Sequence, residues 1–184
     1  MRLKKARIEP LPEAEWDEDV RPALEPTRAI GRGKVPNVLA TIARHPKLLK
    51  RWNAFGNHVL FKSTLPARDR EILILRIGWL CRSAYEWGQH VIIGRRAGLG
   101  DAEIERIRQG ADGAGWTPFE AALFRAADEL HADAFIGDAT WTALAERYDT
   151  RQLMDVVFTV GQYNLVSMAL NTFGVQLDEG VGGF

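Results

Sequence analysis

The chain has 184 residues, 46% of them hydrophobic, enough for one domain that buries roughly 70% of the surface its unfolded form exposes. Lys plus Arg number 24 and Asp plus Glu number 24, so no net field draws in polyanions or anionic lipid, which argues against nucleic acid and membrane as partners. The single cysteine, Cys81, excludes an intramolecular disulfide framework and any site built from several thiolates of one chain, and it fits a reducing cytoplasm.

The opening stretch MRLKKARIEPLPEAEWDED carries basic residues with no apolar run behind them, so it does not read as a signal peptide. Five of the eight prolines (Pro10, Pro12, Pro22, Pro26 and Pro36) fall in the first 36 residues. Proline removes a donor and fixes φ, so residues 1–35 are expected to form an extended arm with one short helix near Asp19 to Glu25, wrapping the domain or a neighbouring subunit. From residue 36 to residue 184 the apolar residues recur at three and four, and no stretch alternates at two. An all-α domain of about eight helices is the expectation.

Helix punctuation divides that domain. Val38, Leu39, Ile42 and Ala43 make one apolar face ending before Pro46, and a second helix runs from about Lys47 to Phe61. Pro66 is expected to open a third helix at its first turn. Ser83-x-x-Glu86 reads as a capping box starting a fourth, which Gly98 ends. Thr117-Pro118-Phe119-Glu120 and Asp149-x-x-Gln152 give similar starts, and Gly174 closes the last long helix. The most apolar stretch, Ile72 to Cys81, is about ten residues, against roughly 20 for a membrane span.

Chemistry concentrates between Pro66 and Gly100. Ser83, Glu86 and His90 lie three and four apart along one stripe of a helix, so their side chains can meet. Glu71 precedes Ser83 by twelve residues and reaches the same point if the two helices fold back antiparallel across Cys81 and Arg82. Two carboxylates and an imidazole in one pocket can move a proton near neutral pH, with a carboxylate neighbour keeping histidine protonated above about 6.5. The plainer alternatives are that Glu86 only caps its own helix, that Ser83 is a cap rather than a nucleophile, and that Glu71 sits on the surface favoured by the helix dipole. Arg76, inside the apolar run, needs an anionic partner: Glu71, Glu86 or a substrate carboxylate. Trp79, Tyr85 and Trp87 surround the stripe and either line an apolar pocket or belong to the core. Neither His-Glu-x-x-His nor a paired Glu-x-x-His is present, so no metal is expected.

The segment resembles the carboxymuconolactone decarboxylase family, which includes the alkylhydroperoxidase D proteins. The latter carry a glutamate, eleven residues, Cys-x-x-Cys and a histidine four further on. Here Glu71, Ser83, Glu86 and His90 occupy those positions and both thiols are absent. The resemblance implies an alkylhydroperoxidase D-like helical domain assembled as a homo-oligomer, trimer or hexamer, and a cofactor-independent lyase acting on a small carboxylated or lactone substrate from aromatic-ring breakdown. Glu71, Glu86 and His90 then form the proton relay, with Arg76 or Arg82 as carboxylate clamp. Two alternatives stand beside it. One is a peroxiredoxin-type oxidoreductase using Cys81, disfavoured because a serine and a carboxylate cannot run the thiol cycle. The other is a non-catalytic helical oligomer that binds a small ligand.

Overall fold

The computed structural model describes residues 2–31 and 33–184, and the described residues contain helices and no strand. Nine α-helices follow one another: α1 (Arg21–Leu24), α2 (Asn37–Ile42), α3 (Pro46–Asn57), α4 (Ala67–Leu80), α5 (Ala84–Arg96), α6 (Asp101–Ile107), α7 (Pro118–Asp133), α8 (Asp138–Ala145) and α9 (Thr150–Phe173). The fold is all-α, as its periodicity predicts, and residues 36–184 hold eight of the nine helices, α2 to α9.

Helix α4 is the axis. Ile72, Leu73, Ile74, Leu75 and Ile77 are all fully buried, because a helix that is apolar all round has no face to give to water and must be surrounded. Helices α5, α7 and α9 do the surrounding. Each such side chain contributes roughly 1.5–3 kcal/mol of transfer free energy. Helix α9 is also long and apolar enough to cross a membrane, but half of its apolar window is buried inside the fold, which marks it as a core helix.

The N-terminal residues are less extended than expected. Besides α1 they hold two 3-10 turns, Glu13–Glu15 and Glu25–Ala29. Trp16, Val20 and Leu24 form a second small core with Leu39, Ala43 and Leu49. The segment lies along its own domain: Arg7 and Ile8 donate their N–H groups to the Phe173 carbonyl, and Leu11 donates to Ala40.

Most punctuation holds. Thr117 and Asp149 cap α7 and α9 through reciprocal bonds with Glu120 and Gln152, and Gly174 ends α9 with φ of 69°. Pro66 opens α4 from the N-cap position, immediately before its first turn. One start differs. At α5, Ser83 occupies the N-cap position without a side-chain cap bond, so the capping box does not form; the Glu86 carboxylate is drawn instead to His90. Between α4 and α5 the chain reverses in three residues. Arg82 takes a left-handed φ of 52°, and Ser83 donates its N–H to the Gly78 carbonyl at 2.9 Å.

Candidate functional site

The tight reversal lays α5 antiparallel on α4 and brings Glu71, near the start of α4, opposite His90 in the middle of α5. Close approach is needed there: a methyl group on Gly94 would come within 3.2 Å of the Leu75 side chain and within 3.9 Å of Glu71 Cβ. His90 Nδ1 donates to Glu71 Oε2 at 2.7 Å, and His90 Nε2 lies 3.1 Å from Glu86 Oε1. The imidazole is therefore held between two carboxylates. None of the three reaches solvent appreciably: Glu71 is 0%, His90 4% and Glu86 5% exposed.

Burial alone would depress the His90 pKa, but Glu71, through charge and hydrogen bond, and then Glu86 overcome it and lift the value to about 10. At neutral pH the ring is an imidazolium with both nitrogens protonated. It can give a proton, and no lone pair is left on it to ligate a metal.

Two further groups complete the surroundings. Arg70 Nε donates to Glu71 Oε1 at 3.2 Å, tying the outer end of the relay to a guanidinium. Tyr163 of α9 stands edge-on to the His90 ring, centroids 4.8 Å apart at 82°. Burial, Glu86 and Glu71 push the Tyr163 phenol well above its ordinary range, so it stays protonated. Neither residue was singled out for the site from sequence. Arg70 was legible only as one of several charges near Glu71, whereas Tyr163 shares the helical period of Val156, Val160 and Leu170 and reads as core.

The remaining candidates lie off the relay. Arg76 does not pair with Glu71 or Glu86: its Nε and Nη2 reach Asp128 at 2.6 and 3.0 Å, and Nη1 donates to the carbonyls of Ile107 and Arg108 at 3.0 and 2.8 Å. Four bonds exhaust most of its donors, so it serves as a structural clamp between α4 and α7. Arg82 is an exposed turn residue. The Ser83 hydroxyl is buried with no hydrogen-bond partner.

Tyr85 donates its hydroxyl to Asp178 at 2.7 Å and accepts the Val38 N–H, holding the C-terminal segment. Trp79 and Trp87 pack on each other and on Phe184, with centroid separations of 5.8, 5.2 and 6.0 Å, while the Arg108 guanidinium covers both indoles. This aromatic group is filled by the chain itself. Gly88 lets the tail pass, since a methyl group there would meet the Gly182 carbonyl at 2.2 Å.

Cys81 is a protected thiol. Its Sγ donates to Asn164 Oδ1 at 3.0 Å. Burial pushes its pKa up, and Glu86 adds to this against the opposing influence of Ser167 and Arg2. The thiolate that peroxide chemistry requires is thus disfavoured.

Comparison with known proteins places this geometry in context. No curated protein matches the chain by sequence. Among solved structures, an alkylhydroperoxidase D core described as an uncharacterized peroxidase-related protein from Ralstonia eutropha JMP134 superposes with a TM-score of 0.82 at 21% identity, covering 94% of this chain and 93% of that one. A peroxidase-related protein from Silicibacter sp. TM1040 gives 0.76 at 18% identity, covering 95% and 90%. A variant of the debrominase Bmp8 in complex with 2,3,4-tribromopyrrole gives 0.78 at 12% identity, covering 96% and 94%. At these identities the likeness is one of fold. Residues 46–129, a segment containing all of Glu71, Glu86 and His90, match the carboxymuconolactone decarboxylase family model, and the chain as a whole has an alkylhydroperoxidase D-like fold.

Proposed function

We propose that the protein is a cofactor-independent lyase or isomerase that moves a proton to or from the carbon next to the carboxyl group of a small carboxylated or lactone substrate. The observation that carries this reading is the imidazolium held between two buried carboxylates, at 2.7 and 3.1 Å. A purely capping glutamate would face its own N-terminus, and Glu86 does not.

In decarboxylation the bond from the α-carbon to the carboxyl carbon breaks, carbon dioxide leaves, and the electron pair stays on the α-carbon. That carbon needs one proton. His90, protonated at rest, passes its Nε2 proton to Glu86, which hands it to the carbon. A solvent proton then restores the imidazolium, so the net change is one proton consumed and one carbon dioxide released per carboxylate lost. Glu71 stabilises the cation and fixes the ring's orientation. The reading includes a cytoplasmic setting, supported by the single unpaired thiol.

A homo-oligomer belongs to the same proposal. Met154, Phe158, Leu165 and Met168 lie on one stripe of α9 and are 51–59% exposed. An apolar seam of that kind suits a second copy of the chain. Light scattering on wild type and on Met168→Asp tests it; a wild-type monomer at micromolar concentration would end that part of the reading.

The chemistry is tested by carbon dioxide release from carboxymuconolactone and related lactone acids, with peroxide consumption followed in parallel. Release that drops in Glu86→Gln and persists in Cys81→Ser supports the relay. Peroxide turnover abolished by Cys81→Ser, with no carbon dioxide released, would replace it.

A further inference from the structure

We propose that a cavity at the outer end of the relay, between Arg70 and Arg96, is a binding site for a small monocarboxylate with an apolar body. The cavity has a volume of about 220 Å³ and is bounded by residues of α4 and α5, of the segments preceding α2 and α4, and of the C-terminal segment. The proposal goes beyond the lyase reading: the cavity lies on the Glu71 side of His90 and is not lined by Glu86, so binding here stands separately from proton delivery by Glu86.

Two kinds of surface meet in this cavity. Ile30, Phe61, Ile92 and Ile93 supply apolar wall, and Ile30 and Phe61 are 61% and 63% exposed. Large side chains left that open beside a concavity gain by covering an apolar ligand. The other surface is cationic. Arg70 spends only its Nε on Glu71, leaving its two terminal amino groups without another partner among the described residues. Arg96 is exposed and makes no ion pair among them.

The two acidic residues on the rim are already engaged. Asp178 accepts from the Asn37 N–H, the Tyr85 hydroxyl and Gln89 Nε2 at 2.8, 2.7 and 2.6 Å. Glu179 pairs with Lys34. The donors that remain therefore belong to two guanidiniums, a set that matches the planar, bidentate geometry of a carboxylate.

The position gives the site its meaning. A carboxylate bound by Arg70 is one residue from Glu71, which holds the His90 imidazolium, and Gln89 in the wall adjoins His90 in sequence. Among the described residues, Arg70 is the guanidinium bonded to the relay, and it also lines this cavity. Arg76 and Arg82, the sequence candidates for this task, do not line it.

Benzoate and cyclohexanecarboxylate serve as probes, with benzamide as neutral counterpart and acetate as the anion without a body. Binding is followed on the full chain by ligand-observed NMR and calorimetry. Both acids are expected to bind, benzamide and acetate roughly tenfold or more weaker, and Arg96→Gln to weaken benzoate roughly tenfold, as expected for a lost charge-assisted bond. Arg70→Gln should do the same. Arg95→Gln, a neighbour on α5 paired with Asp101 outside this cavity, should leave the affinity unchanged. Equal affinity for benzoate and benzamide, benzoate binding undiminished by Arg96→Gln, or no binding up to about 10 mM would overturn the site. Glu86→Gln should retain benzoate affinity within about twofold. Benzoate binding as expected without decarboxylation of any lactone acid overturns the lyase reading and leaves the site standing. Carbon dioxide release that drops in Glu86→Gln while benzoate fails to bind overturns the site and leaves the lyase reading standing.

Discussion

Helix α4 buries three charged groups: Asp69 accepts from the Tyr148 hydroxyl, while Glu71 and Arg76, five residues apart, do opposite work. At 100° per residue they point about 140° away from each other. Glu71 therefore faces α5 and joins a chain of titratable groups, while Arg76 faces α7 and meets Asp128. The Arg76 network is closed: a carboxylate on one edge of the guanidinium and two main-chain carbonyls on the other. Such a network fixes the distance between helices and has no proton to exchange, since arginine stays charged at any accessible pH. The Glu71, His90 and Glu86 network holds a group that can lose its proton. Burial and charge pairing are common to both, so neither alone marks a functional site. What separates them is a titratable centre with partners on both sides.

The largest test of this contrast removes the closed network. Arg76→Ala leaves Asp128 and the Ile107 and Arg108 carbonyls without their donor, and breaking a buried pair of this kind costs about 3–5 kcal/mol. Asp128 keeps some contact with water, which favours the lower end. Urea unfolding should show the midpoint falling with m unchanged, while turnover per folded molecule is retained. A variant with wild-type stability would mean that the clamp contributes little to the α4–α7 packing.

Glu86→Gln is the converse. The substitution keeps shape and a hydrogen-bond acceptor, so the fold should change by less than about 1 kcal/mol, whereas loss of a general acid or base lowers turnover by roughly 10² or more. Unchanged turnover would remove Glu86 from the mechanism and leave the two networks alike in kind.

The relay should also show itself in the pH dependence of stability. His90 titrates at about 10 in the folded protein and near 6.5 unfolded. A raised folded pKa contributes stability that is fully present below about pH 6.5 and is lost as pH climbs through about 10, because above 6.5 the native state binds more protons than the unfolded one. Unfolding free energy should therefore decline across that window by up to about 1.4 kcal/mol per pH unit from this group. The difference between wild type and His90→Gln isolates it from the lysines and tyrosines. Parallel curves for the two proteins would show that the imidazole is neutral in the fold.

How much of this was legible in sequence follows from the range of each contact. The convergence of Glu86 and His90 needs only the helical period, and Glu71 joins through a three-residue turn, so the trio could be read from one segment. Thr117 and Asp149 declare their caps within four residues. By contrast, Arg76 finds Asp128 fifty-two positions later, Tyr163 reaches His90 from α9, and Cys81 is covered by Asn164. Those pairings depend on which helix faces which, a property of packing that local spacing does not encode. The Ser83 box failed for a related reason: a glutamate that can neutralise a buried imidazolium gains more there than at its own helix end. Helix α9 shows both sides, with its caps readable and its exposed apolar stripe invisible until its neighbours were placed.

The smallest test concerns the turn that brings the relay together. Arg82 adopts φ of 52°, a left-handed conformation that costs a residue with a Cβ roughly 1 kcal/mol or somewhat more. Arg82→Gly removes that cost and adds back some unfolded-state entropy, for an expected net gain of about 0.5 kcal/mol. Calorimetry should show a slightly higher Tm. Turnover should be unaltered, because Arg82 contacts neither the relay nor the proposed carboxylate cavity. A loss of turnover with Tm raised would instead mean that the Arg82 side chain acts on substrate at the Glu86 end of the relay.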